Sequence, residues 1–315
     1  MDNAGWSTQS TTINQATGTV PAGSGNITFT PSWSAGACKV TLATSQSGFT
    51  IQYQVGGTSG TWNTYNSAVA VALNQTIYAR LTDGRNVGST GSLKVTDTTA
   101  PTAPSATVAA GTVGSNSWYT SNVTIKVTAG TDSQSGVNRT TYSLTGAQAL
   151  AETAITSGGT FTITADGTTT VTCYTYDNAG NKSTAKTLTI KKDASAPSVA
   201  STTVSGGTAG TNGYYKSNVT VKITAGSDGH SGVSKVTYSL SGAQSAGETT
   251  ITSGGTLTIS AEGNTTVTCY TYNGAGIRSS AATLVVKKDA TAPIADTAIA
   301  GSMLYTCLLY TSRCV

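Results

Sequence analysis

Two stretches of this chain, TVTCYTYDNAGN at 170–181 and TVTCYTYNGAGI at 266–277, lie 96 residues apart and agree over their first seven residues. The same interval separates DTTAP at 97 from DASAP at 193, and DASAP from DATAP at 289. SNVT at 121 and 217, ITSGGT at 155 and 251, and KKD at 191 and 287 keep it too, with no gap. A period this long is too long for a solenoid turn and suits one small self-contained domain. Whatever fold one copy adopts, the other must adopt as well.

Within a copy the apolar period is two. Val123, Ile125 and Val127 alternate with Thr124, Lys126 and Thr128. The other runs give Tyr142 and Leu144; Phe161, Ile163 and Ala165; Val171, Cys173 and Thr175, with Tyr174 and Tyr176 opposite; and Leu188 and Ile190. Gly- and Asn-rich turns separate these runs, and no segment sustains a helical period. Short alternating strands with such punctuation predict an antiparallel sandwich. The fold class expected is all-β: tandem immunoglobulin-like antiparallel sandwiches in an extended string.

The same grammar continues outside the two copies. Residues 16–96 form a different module in which FTIQYQVGG, TWNTYNSAVAV and QTIYARLTDG read as three strands, with Ile51, Tyr53 and Val55 on one face of the first. Repeat 1 is read as 97–192 and repeat 2 as 193–288, each opening on a Pro that stiffens the joint. Residues 289–306 begin a truncated third copy. Residues 1–15 are the end of an upstream module, because DNAGWST at 2–8 resembles DNAGNKST at 177–184. Residues 307–315 match neither copy. Back-translated, they read as two transposase mosaic ends joined head to head, so they are set aside as a sequencing-adapter artefact.

Only 10% of the residues are charged, and the net charge of +4 is spread thinly. No run of Lys or Arg exceeds two, which gives no nucleic-acid stripe and no polybasic membrane patch. The pairs at 191–192 and 287–288 are expected to be solvated strand ends. No segment approaches a membrane span. Outside the last nine residues there is one Cys per module: Cys38, Cys173 and Cys269. None belongs to a CxxC, so each is expected to be a small buried hydrophobe.

A search for chemistry finds little. His230 stands where the first copy has Gln134, and no partner that would orient a catalytic imidazole is visible. Asp132 and Asp228, Glu152 and Glu248, and Asp166 and Glu262 recur at the repeat interval, and all are read as turn acids. Calcium at domain joints would call on Asp97, Asp193, Asp177, Asn178 and Asn181. The last three become Asn273, Gly274 and Ile277 in repeat 2, so no metal and no cofactor is expected. Lys126 and Lys222 fall on the outward phase of their strands, which argues against an intramolecular Lys–Asn crosslink. The candidate ligand-binding residues are aromatic: Trp118 and Tyr119, their counterparts Tyr214 and Tyr215, and Trp62. Their rings could stack on sugars or seal the ends of the sandwiches.

The xAP opening, SGV before TYSL, ADG or AEG before VTCYTY, and DNAGN after it make residues 97–288 resemble the bacterial immunoglobulin-like repeats of large surface proteins, including the OmpL47 type. FTIQYQ, GTW and IYARLTDG make residues 46–96 resemble the immunoglobulin-like module at the C-terminus of chitobiase-type enzymes. This resemblance implies a non-catalytic stalk or adhesive region of a secreted cell-surface or cell-wall protein, spacing a distal domain from the cell. The alternative is a carbohydrate- or protein-binding accessory module of an extracellular hydrolase. Expected partners are cell-wall or host glycans or surface proteins, with no nucleic acid and no membrane insertion, on a monomeric string of domains.

Overall fold

A computed structural model describes residues 19–294. The readings for 1–15, for the end of the third copy and for 307–315 lie outside these residues. Among the described residues the chain is built from strands, and its one helical element is a single 3-10 turn at Ser115–Ser117. No helix is long and apolar enough to cross a membrane.

The first sandwich contains β1 (Ile27–Ser34), β2 (Ala37–Thr44), β3 (Thr50–Val55), β4 (Asn63–Thr64), β5 (Val69–Val71), β6 (Thr76–Thr82) and β7 (Gly91–Lys94). They form two sheets, β1-β2-β5 and β4-β3-β6-β7. The β1–β2 hairpin turns through Ala35 and Gly36, both at positive φ, as the twist of a two-residue hairpin requires. Val40, Ile77, Ala79 and Leu81 are sealed between the sheets. The sequence departs from expectation in two places. The run TWNTYNSAVAV breaks into β4 and β5, which join opposite sheets. In β3, Ile51 is buried as expected, but Val55 is 36% exposed and Gln54 is buried, its Oε1 accepting from Gly60 N.

Repeat 1 contains β8 (Ser105–Ala110), β9 (Val123–Thr128), β10 (Val137–Gly146), β11 (Leu150–Ile155), β12 (Thr160–Ile163), β13 (Gly167–Asp177) and β14 (Lys186–Lys192). Its sheets are β12-β9-β8 and β11-β10-β13-β14. Val123, Ile125, Val127, Ile163, Val171 and Cys173 are fully buried between them. Tyr142 stacks on Phe161 at 4.0 Å.

Repeat 2 contains β15 (Ser201–Gly206), β16 (Tyr214–Tyr215), β17 (Val219–Thr224), β18 (Val233–Gly242), β19 (Ala246–Ile251), β20 (Thr256–Ile259), β21 (Gly263–Asn273) and β22 (Ala282–Lys288). Its sheets are β15-β17-β20 and β16-β22-β21-β18-β19. Its core holds Val219, Val221, Ile223, Ile259, Val267 and Cys269.

The structure copies the sequence period down to its irregularities. β10 slips register between Val137 and Arg139 against β13, and β18 slips between Val233 and Lys235 against β21. Gly146 and Gly242 end β10 and β18 at positive φ, and a Cβ at either would stand 2.3 Å from a carbonyl oxygen across the ladder. By compactness the chain divides into two units. One takes the described residues up to Val113 together with Tyr119–Asp193, and the other takes Gly114–Trp118 and the described residues from Ala194.

Candidate functional site

The period of two explains the unchanged part of TVTCYTY. In β13, Thr169, Val171, Cys173 and Thr175 all point inward and are buried. Desolvation pushes the Cys173 and Cys269 thiols up to about 11, which leaves them protonated and poor nucleophiles. On the outer face, Tyr176 Oη and Thr141 Oγ1 both donate to Glu152 Oε1 at 2.7 Å. These two hydrogen bonds, and the Lys182 charge at 3.6 Å, hold the Glu152 carboxyl below the ordinary glutamate range. Lys182 lies over the Tyr174 ring and Arg139 over the Tyr176 ring. In repeat 2, Glu248 accepts from Thr237 and Tyr272, while Arg278 covers Tyr270 and Lys235 covers Tyr272. Glu152 was expected at a turn but belongs to β11, where a cross-strand tyrosine can reach it.

The candidate aromatics divide into sealing rings and less buried ones. Tyr119 and Tyr215 pack against the cores of repeats 1 and 2. Their backbones pair with the last strand of each repeat: Tyr119 N donates to Lys191 O, and Tyr215 lies beside Lys288 in a parallel bridge. Trp118 follows the 3-10 turn and is half-buried, its N–H held by Ser115 O. Tyr214, its counterpart, helps to line an open groove of about 510 Å³ with Gly210, Lys216, Asp289 and Thr291. Trp62 belongs to the first sandwich, where Arg80 stacks on its ring at 4.1 Å and is itself held by Gln52. The structure therefore places these residues in separate local settings.

Two of the strand-end lysines are not solvated. Lys192 and Lys288 are 4% and 5% exposed, and they pair with Asp166 and Glu262 at 2.5 Å. The strand phase that buries Ile190 also buries Lys192, so only Lys191 reaches water. Lys126 and Lys222 are exposed, as their phase predicts, and so is His230.

A cluster that sequence reasoning did not assemble lies at one corner of repeat 1. Asp97, from the segment leading into the repeat, Asp132, from the loop before β10, and Asp177, the last residue of β13, bring carboxylate oxygens within 4.8 Å of one another. Asp177 is 1% exposed, because it takes the next inward position after Thr175. Burial raises the Asp97 carboxyl, but contacts from the Ser135 hydroxyl and from the Ser135 and Thr99 N–H groups outweigh it and leave the group below the ordinary range. Asn181 Nδ2 donates to Asp177 Oδ2 and to the Asp97 carbonyl. Asn178 Nδ2 donates to the Ser135 carbonyl. The two amides thus brace the corner as donors through their Nδ2 atoms.

No family model matches the chain, and no curated protein matches it. Among solved structures, the fibronectin(III)-like modules of CbhA from Clostridium thermocellum align at 16% identity over 58% of this chain and 95% of theirs, with a TM-score of 0.29. The FN1–FN3 domains of chicken CNTN1 align at 15% identity over 85% of this chain and 99% of theirs, with a TM-score of 0.28. The D00–D0 domain of intimin aligns at 17% identity over 57% and 98%, with a TM-score of 0.27. At such scores the fold assignment rests on the strand ladders themselves, which form tandem immunoglobulin- or fibronectin-like sandwiches.

Proposed function

We propose that this chain is a non-catalytic, load-bearing region of a secreted bacterial surface protein, of the OmpL47-like kind, in which modules at 16–96, 97–192 and 193–288 form a string that spaces another domain from the cell. The observation that carries this reading is the duplication of a whole sandwich, bulges included, at a fixed interval. Both copies hold what each needs to keep itself together: its core, its ladders and the Glu–Tyr–Thr hydrogen bonds on its outer face. Pulling single molecules from both ends tests it. Separate rupture events, each releasing about 300 Å for a repeat of this size, are the expected outcome. Unravelling at negligible force, without discrete events, would remove the mechanical reading.

The second reading, a carbohydrate- or protein-binding accessory module, draws on the groove beside Tyr214 and on half-buried Trp118. Its discriminating measurement is a glycan array. Reproducible binding that disappears in Trp118→Ala and Tyr214→Ala would favour it over the first reading.

A further inference from the structure

The acidic corner of repeat 1 carries three formal negative charges and has no cation of its own. Among the described residues the ion pairs are Lys182–Glu152, Lys192–Asp166 and Lys288–Glu262, and none touches it. Its hydrogen bonds come from neutral groups. Asp97 accepts from Thr99 N and Ser135 N at 2.9 Å. Asp177 accepts from Asn181 N and Nδ2 at 2.7 and 2.8 Å. Asp132 Oδ1 accepts from Gln134 N and Gly136 N. Such dipoles aim the carboxylates but do not neutralise three of them held so close.

Among the described residues, two polar atoms at the corner lack a hydrogen-bond partner. Asp132 Oδ2 is shut off from solvent and accepts nothing. The Ser135 hydroxyl, on a residue 3% exposed, sits against the Asp97 carboxylate without forming a hydrogen bond of ordinary geometry. Buried polar atoms are rarely left in this state.

Repeat 2 supplies an internal control. Position for position, its residues are Asp193, Asp228 and Asn273. Asn273 Nδ2 donates to Asp228 Oδ2 at 3.3 Å and to Ser195 O at 3.0 Å. The oxygen left without a donor in repeat 1 has one in repeat 2, and the donor belongs to the residue that replaces the third carboxylate. The amide replaces the third carboxylate and donates to the second, so the corner of repeat 2 carries two formal negative charges where that of repeat 1 carries three.

We propose that Asp97, Asp132 and Asp177 bind a hard divalent cation, Ca²⁺, and that repeat 2 has exchanged this site for the Asn273 amide. Anionic oxygens without His or Cys select hard cations, and a ligand set drawn from loops suits the adaptable shell of Ca²⁺ better than the strict octahedron of Mg²⁺. The three ligands come from the segment entering the repeat, from one loop and from a strand end, so the ion fastens all three together. The Ala35–Gly36 turn of the first sandwich lies against the same loop, where a Cβ on Gly36 would stand 3.2 Å from Ser135 O. An ion here therefore stiffens the approach from one module into the next.

The test uses the full chain, stripped with chelator, titrated calorimetrically with CaCl₂ and separately with MgCl₂, and melted with and without each. One Ca²⁺ per chain and a rise of about 5 °C in the repeat 1 transition at saturation are expected. Asp177→Asn, which recreates the arrangement of repeat 2, abolishes the binding heat and raises the metal-free midpoint. If that variant does not fold, Asp132→Asn keeps the acceptor for Gln134 and Gly136 and is read in the same way. The proposal is overturned if the wild-type chain shows neither heat nor shift, or if the folded variant binds as the wild type does. It is equally overturned by a response identical for Mg²⁺ and Ca²⁺ that vanishes in ordinary salt, which would mean that only surface charge is being screened.

Discussion

Repeats 1 and 2 fold alike and differ in where they place charge. Their cores match position by position: Ile125 stands where Val221 does, Val127 where Ile223 does, Phe161 where Leu257 does, and Ile163 and Ile259 coincide. These exchanges roughly conserve volume, which a close-packed interior tolerates at small cost. The charged corners have diverged further. Repeat 1 buries Asp97 and Asp177 beside Asp132, whereas repeat 2 has an amide at the third position. Repeat 1 closes its last strand with Lys192 on a largely buried Asp166, whereas the Glu262 partner of Lys288 is 46% exposed. A shared core fixes shape, and its copies can be kept similar without any ligand. Charge at the rim answers to what lies outside the core, so it is free to differ between copies.

The strongest way to break this comparison is to cut into the two cores separately. Ile163→Ala and Ile259→Ala each remove a fully buried side chain and are expected to cost about 4 kcal/mol. Each should lower its own calorimetric transition and leave the other in place. A single transition that moves equally with either substitution would show that the two repeats do not unfold independently.

Next in size come the lysines. Lys192→Ala breaks a buried ion pair and is expected to cost about 3 kcal/mol in repeat 1, read as a fall in the denaturation midpoint. Lys288→Ala, whose partner is half in water, should cost less than half as much. Equal losses would remove the distinction drawn between the two rims.

The smallest expected effect is on acid stability, and here the repeats should agree. Glu152 is lowered by the hydrogen bonds from Thr141 and Tyr176, and Glu248 by those from Thr237 and Tyr272. A depressed carboxyl stabilises the fold above its unfolded value, about 4.5, and that contribution is lost as pH falls through the lower folded value. Melting temperatures should therefore decline below about pH 4.5. Glu152→Gln and Glu248→Gln should each flatten that decline slightly and to a similar extent. A steeper decline in either variant would contradict the assignment.

Much of the fold was legible in the residues. Alternation placed Ile125, Val171, Cys173 and Ile190 inside and Lys126 and Lys222 outside, as found. Continued by one more inward step, it puts Asp177 after Thr175 and Lys192 after Ile190, both of which are buried. Their polar character suggested solvent, and strand phase prevailed. β11 carries no alternation because every residue from Leu150 to Ala154 is exposed, so the seat of Glu152 could not be found by period. In the first module, TWNTYNSAVAV reads as one strand, yet two separate ladders claim its ends.

What the sequence determined by itself is local and repeated: strand phase, turn positions, the inward thiols, and the fact that whatever one 96-residue copy does the other must nearly do. These follow from the pleat, which sends neighbouring side chains to opposite faces regardless of what lies across the sheet. Only the tertiary structure decided that Asp97, Asp132 and Asp177 share a corner, or that Tyr176 reaches Glu152. Such meetings depend on which strands become neighbours and which loops fall at the same end of a sandwich. That is settled when the two sheets close on a common core, and no period along the chain records it.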